Sequence, residues 1–268
     1  LEKFQKEMVM HEPTTDETQG TPENADIHER VLESFRKNAE SGDAKAQYLL
    51  GTLLELAWGA DTEAVEWYRK AAQQGYADAQ LNLGIMLTSG RGVEENETEA
   101  AEWYRKAAEQ GKSDAQYNLG IMLTNGRGVE KNETEAVGWF RKAAEQGCAE
   151  AQYNLGIELS MGKAVEKNES EAVEWYRKAA EQGVAAAQLQ LGVSLNLGSG
   201  VEKNPSEAVQ WCIKSAEQGY AQAQYLLGII LSEGYFVEKN EVEALIWFRK
   251  AAEQGFEEAQ LHLHSIAS

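Results

Sequence analysis

The 268 residues carry 43% hydrophobic and 26% charged side chains, enough apolar material for a substantial core and too much for a disordered chain. Acidic residues outnumber basic ones 44 to 25, and the formal net charge of -19 repels phosphate backbones and anionic lipid headgroups. Nucleic acid and membrane insertion are therefore disfavoured, and two cysteines at non-equivalent places, Cys148 and Cys212, do not make a disulfide framework.

Residues 1–26 read as an N-terminal acidic tail. LEKFQKEMVM has the pattern of a short amphipathic helix, whose Phe4, Met8 and Val9 suit docking on the rest of the chain. HEPTTDETQGTPENAD, broken by Pro13 and Pro22, reads as a linker. Residues 27–268 then read as a single repeat solenoid: a half-repeat at 27–42, six helix pairs at 43–255 and a terminal helix at 256–268.

An Ala-Gln dipeptide marks the period, at Ala46, Ala79, Ala115, Ala151, Ala187, Ala223 and Ala259; the first interval is 33 residues and the other five are 36. Each unit predicts two helices. The second is typified by NETEAAEWYRKAAEQG, Asn96 to Gly111, where Ala100, Trp103, Tyr104, Ala107 and Ala108 form one apolar stripe. Asn96 with Glu99 predicts a capping box, Pro205 suits a first helical position in a sister copy, and Gly111 supplies a left-handed stop. The first helix is typified by Ser113 to Gly126. Ala115, Leu119, Met122 and Leu123 form its core stripe, and Gly120 allows close approach of the partner helix. Its opposite side carries Tyr117, Ile121 and Thr124, more apolar than a solvent face requires.

The pattern A-Q-x-x-L-G-x-x-L-x-x-G-x-G-V-x-x-N-x-x-E-A-x-x-W-Y-x-K-A-A-x-Q-G, seen from Ala115 to Gly147 with Phe140 for the Tyr, resembles the Sel-one-like repeat, a relative of the tetratricopeptide repeats. The resemblance implies an all-α, right-handed α-solenoid of antiparallel helix pairs with first helices lining a concave groove. It also implies bacterial adaptor, scaffold or regulatory roles. The chain departs from the pattern in lacking the cysteines of the cysteine-rich branch. Its Gly-x-Gly-Val loop becomes GKAV at Gly162 and GYFV at Gly234, and the first repeat carries AWGAD, so Trp58, Tyr235 and Phe236 are candidate partner anchors in irregular loops.

Catalytic patterns are sparse. Ser34 with Lys37 and Ser160 with Lys163 satisfy S-x-x-K, but no S-D-N or K-T-G accompanies either. His262 and His264, two apart on a helix, diverge and make poor joint metal ligands, and no phosphate-binding glycine loop is present. No cofactor or metal is expected. The sequons at Asn96, Asn132 and Asn168 coincide with helix caps, and the recurring tryptophans, Trp67 to Trp247, fall on the core stripe.

The remaining candidate is the groove: Tyr48, Asn82, Ile85, Tyr117, Asn118, Ile121, Tyr153, Asn154, Ile157, Gln190, Tyr225 and Ile229. Apolar side chains flanked by amides bury a partner's side chains while bonding its backbone. Asp78, Asp114, Glu150 and Glu258 against Lys45 at the edge favour a basic or neutral peptide or protein. The leading expectation is a non-catalytic interaction scaffold; the alternatives are a secreted or periplasmic host-interaction or immunity protein and, more remotely, a β-lactamase-like hydrolase. The chain begins at Leu1, and its compartment and oligomeric state are not readable.

Overall fold

The computed structural model describes residues 22–267, with side chains from 30 to 264; the expected tail segment 1–21, including Phe4, Met8 and Val9, lies outside the described residues. Two compact units divide the chain, one ending at Glu95 and the other beginning at Asn96. All regular structure among the described residues is helical. The first unit holds α1 (Pro22–Glu40), α2 (Ala44–Leu53), a π-helical turn (Leu54–Trp58), α3 (Asp61–Gln73) and α4 (Ala77–Ser89). The second holds α5 (Glu97–Glu109), α6 (Ser113–Asn125), α7 (Glu133–Glu145), α8 (Ala149–Met161), α9 (Glu169–Glu181), α10 (Ala185–Leu197), α11 (Pro205–Glu217), α12 (Ala221–Glu233), α13 (Glu241–Glu253) and α14 (Glu257–Ala267). This is the all-α solenoid of antiparallel helix pairs that the period implies. One boundary differs: α1 starts at Pro22, not at Ile27, since proline fits the first turn of a helix, where its missing N–H leaves no bond unmade.

Local chemistry fixes each element. The Oδ1 atoms of Asn96, Asn132, Asn168, Asn204 and Asn240 accept from the backbone N–H three residues on, at 3.1–3.2 Å, so these asparagines are N-caps. The capping box is only half formed. The cap N–H of Asn132, Asn168, Asn204 and Asn240 donates instead to a leucine carbonyl at the end of the preceding helix, at 2.8–2.9 Å. Their glutamates accept from the cap's side-chain amide at 3.0–3.4 Å, not from its backbone N–H, and Glu135, Glu171 and Glu207 take further partners described below. Gly111 and its counterparts end the second helices at strongly positive φ, as the left-handed stop requires.

The core is the expected stripe. Ala100, Trp103, Tyr104, Ala107 and Ala108 of α5 are buried, as are Ala115, Leu119, Gly120, Met122 and Leu123 of α6. Gly120 is required by contact: a Cβ there would lie 2.5 Å from the Phe140 ring. In unit one, Tyr68 stands in the same relation to Gly51, and its hydroxyl donates to Glu55 of the π-helical turn at 2.6 Å.

A row of buried glutamines joins the repeats. Gln47, Gln80, Gln116, Gln152, Gln188 and Gln224 each donate from Nε2 to an alanine carbonyl at the end of the preceding second helix, at 3.0–3.3 Å. Most also accept at Oε1 from the Gln-Gly glutamine of the following unit; Gln182 donates to Gln152 at 2.8 Å, and Gln218 to Gln188 likewise. Each of these carbonyls also accepts from the N–H of the stop glycine three residues on, so the glutamine supplies a second donor at the helix end. Gln152→Ala removes one of two donors to the Ala144 carbonyl, which keeps the Gly147 N–H, and releases the exposed Gln182 amide to water, so it is expected to cost about 0.5 to 1.5 kcal/mol in denaturant titration. Gln182→Ala, at a more exposed position, should cost less.

Candidate functional site

The two sides of each helix pair differ in how they dispose of their polar groups. On the second helices the tryptophans are closed off by their own neighbours. The Trp139 Nε1–H donates to Glu135 at 3.2 Å, and Lys142 sits 4.0 Å above the ring centroid. Glu135 also receives Arg105 of the preceding repeat at 2.5 Å. Trp175, Glu171 and Arg141 repeat the arrangement, as do Trp211, Glu207 and Arg177. The arginine bond, chiefly, holds the Glu135, Glu171 and Glu207 carboxyls below the usual carboxylate range. Trp67, Trp103, Trp139 and Trp175 are buried, while Trp211 and Trp247 are half-buried. These rings join repeats and offer no open stacking surface.

The first helices present the opposite case. In unit one, Tyr48 is half-buried with its ring 5.9 Å from Tyr68 and 5.1 Å from Tyr76, Asn82 is half-buried, and Ile85 is exposed. In unit two, Tyr117, Asn118 and Ile121 of α6, Tyr153, Asn154 and Ile157 of α8, Gln190 of α10, and Tyr225 and Ile229 of α12 are all half-buried. The tyrosines lie on the aromatic ring of the following helix, Tyr117 on Phe140 and Tyr153 on Tyr176, each at 6.1 Å between centroids. Tyr225 lies between Phe248 and Phe256, at 5.7 and 5.3 Å. These rings therefore fill space between elements as well as presenting an edge.

Burial and the negative edge act on the same groups. The Tyr117 hydroxyl is raised by burial, then by Glu150; Tyr153 is pushed up to about 12 by burial with Tyr220 and Tyr176 beside it. Burial likewise raises Cys148, with Glu150 and Asp114 adding to it, and raises Glu158, with Glu133 adding to it. The tyrosines stay neutral hydrogen-bonding groups at physiological pH.

The other sequence candidates find ordinary places. The Ser160 hydroxyl donates to the Ile157 carbonyl at 2.8 Å and meets the Tyr176 hydroxyl at 3.1 Å, as a serine at a helix end does. His262 stacks 4.3 Å from Phe248, and His264 bonds the Gln260 carbonyl at 2.7 Å. Among the described residues no group of His, Cys, Asp or Glu is arranged to hold a metal ion, and no helix is long and apolar enough to cross a membrane. Of the loop candidates, Trp58 is 38% exposed, Tyr235 54% and Phe236 63%. Sequence reasoning passed over Leu197, 67% exposed at the end of α10 beside Tyr235 and Phe236 in one apolar cavity, and missed that cavity altogether.

Six consecutive copies of the Sel1 repeat match this chain, at residues 44–76, 77–112, 113–148, 149–184, 185–220 and 221–256. The chain belongs to the Sel1 repeat family. Sel1 repeat arrays generally serve as protein-interaction scaffolds. A Sel1 repeat protein from Oxalobacter formigenes is 38% identical and superposes with a TM-score of 0.73, over 81% of this chain and 88% of that one. A protective antigen of uropathogenic Escherichia coli strains, with an SLR fold, is 35% identical with a TM-score of 0.70 over 87% of this chain. The match covers 58% of the antigen, so this Sel1 chain spans less than two thirds of that protein's length. No curated protein matches.

Proposed function

We propose that this Sel1 array is a non-catalytic scaffold that holds an extended segment of another protein along the first-helix face. The binding row in unit two is Tyr117, Asn118, Ile121, Tyr153, Asn154, Ile157, Gln190, Tyr225 and Ile229; Tyr48, Asn82 and Ile85 are the equivalent positions in unit one. The observation that carries this reading is the contrast between faces. The second-helix side closes its tryptophan indoles, with the Glu135 and Glu171 carboxylates and the Arg105 and Arg141 guanidinium groups, into bonds within itself. The first-helix side keeps aromatic, aliphatic and amide groups half-buried at regular spacing. Such a surface supplies area at low entropy cost through its tyrosines and bonds to a peptide backbone through its amides. Asp114 and Glu150 at its edge favour a basic or neutral segment over an acidic one.

The double variant Tyr117→Ala/Asn118→Ala tests it. Partner affinity, measured by calorimetry with the partner captured from the native cell, should fall about tenfold or more, as truncation of central interface residues does. The helical circular dichroism should remain nearly intact, with a modest fall in melting temperature from the lost Tyr117–Phe140 contact. Undiminished binding would move the site to the loops or to the second-helix face.

A further inference from the structure

In most repeats an aromatic ring from the second helix lies flat on the close-approach glycine of the first. A Cβ on the glycine would meet the ring at 2.8 Å for Gly51 and Tyr68, 2.5 Å for Gly120 and Phe140, 2.6 Å for Gly156 and Tyr176, and 2.5 Å for Gly228 and Phe248. At Gly192 the ring is absent, because Cys212 stands in its place. The nearest atoms there are the Ala208 carbonyl oxygen at 3.0 Å, then the Cys212 nitrogen and Trp211 Cβ at 3.7 Å. The volume a ring would occupy is part of an open cavity of about 410 Å³ whose walls include Leu189, Gly192, Val193, Cys212 and Ile229. That volume lies within the range of ligand pockets.

A second departure from the repeat meets the first. The loop after α12 reads GYFV, and Phe236 stands where Gly92, Gly128 and Gly200 stand in sister repeats. Phe236 has a φ of 58° and is the only non-glycine residue with positive φ among the described residues. A bulky residue held in that region is strained, and such strain clusters where a site needs it. Phe236 and Tyr235 line the same cavity, as does Leu197, and all three are more than half exposed. The missing ring and the two added rings therefore belong to one apolar hollow.

We infer that this cavity is a socket for an aromatic side chain, Phe or Tyr, carried by the bound polypeptide. The sister repeats show the shape that fits: a six-membered ring laid on a glycine between aliphatic walls. Here the chain supplies the socket and the partner supplies the ring. Val193 and Ile229 belong to the first-helix face, so the ring enters from the surface on which the segment is proposed to lie, and the inference rests on that reading. Asn196 at the lining offers an amide to the incoming backbone. The free Cys212 thiol, pushed up to about 12 by burial, stays protonated and acts as a small apolar wall.

The test uses the full chain with ¹³C-labelled methyl groups, N-acetyl-phenylalaninamide as probe and N-acetyl-alaninamide as control. Saturable shifts are expected at Leu189, Val193 and Ile229 with the phenylalanine probe alone. Cys212→Phe, which restores the sister-repeat ring, should abolish them. Phe236→Gly, which restores the sister-repeat glycine and relieves strain, should fold at least as well and bind the probe several-fold more weakly; this second variant keeps the test alive if Cys212→Phe does not fold. A peptide selected on the full chain should displace the probe and lose about tenfold in affinity when its aromatic residue becomes alanine. Absence of shifts in the wild type, or equal shifts in Cys212→Phe, would overturn the socket while leaving the Tyr117/Asn118 result untouched. A probe that binds but that no peptide displaces would equally overturn it, assigning the cavity to a small aromatic molecule.

Discussion

Trp139→Ala is expected to lower the stability of the chain by about 3 to 5 kcal/mol, the range for truncating a buried large aromatic residue. The loss has three parts. The indole is 9% exposed, so most of its area goes from packed surroundings to a void. Glu135 loses the Nε1–H donor that helps hold it beneath Arg105, which weakens the contact between successive repeats. Lys142 loses the ring over which it lies. In a repeat array a weakened unit also weakens both of its interfaces, so the unfolding transition should broaden as well as shift. The melting temperature should fall by roughly 6 to 20 °C. Trp247→Ala, at a half-buried ring late in the array, should cost clearly less. Calorimetry showing an unchanged transition for Trp139→Ala would mean that the ring is not part of the core.

Gly128→Ala should be nearly as damaging although it adds only one carbon. Gly128 sits at φ 65°, and a Cβ added to it would lie 2.2 Å from the Glu97 carbonyl oxygen, a backbone atom that cannot swing aside. Gly147 has φ 95° and open space, with nothing within 4 Å of the place an added methyl group would take, so Gly147→Ala measures the conformational cost alone. That cost is about 1 to 2 kcal/mol, and Gly128→Ala should exceed it by about 1 to 3 kcal/mol for the displaced loop. Equal losses for the two variants, read by denaturant titration, would show that the loop moves aside freely. Ala164 and Phe236 stand at this loop position in two other repeats.

The architecture was readable because a repeat states its grammar many times. The Asn96 class of caps, the Trp stripe, the Gly120 approach and the 36-residue period all appear as written. What the sequence misled on was the second partner of each group. Asn96 followed by Glu99 spells a capping box, but Trp103 four residues further on offers Glu99 an indole N–H at 3.1 Å, and a one-dimensional motif does not weigh that competitor. The Gln152 ladder was visible only as a ruler, since its bonds run to Ala144 and to Gln182 in the next repeat. The tyrosines of the candidate row were legible as a non-core face, but their rings also pack on Phe140, Tyr176 and Phe248, which periodicity alone does not reveal. Cys212 was legible as a missing aromatic residue. Its consequence, a cavity shared with a loop more than twenty residues on, depends on tertiary contact.

The proposed scaffold holds a polypeptide on its first-helix face. Chemical-shift mapping of a peptide selected from a random library on the full chain addresses it most directly. Perturbations are expected to concentrate at Tyr117, Ile121, Tyr153, Asn154 and Ile157. Perturbations centred on Arg105, Glu135 and Trp139, with the tyrosine row silent, would contradict it.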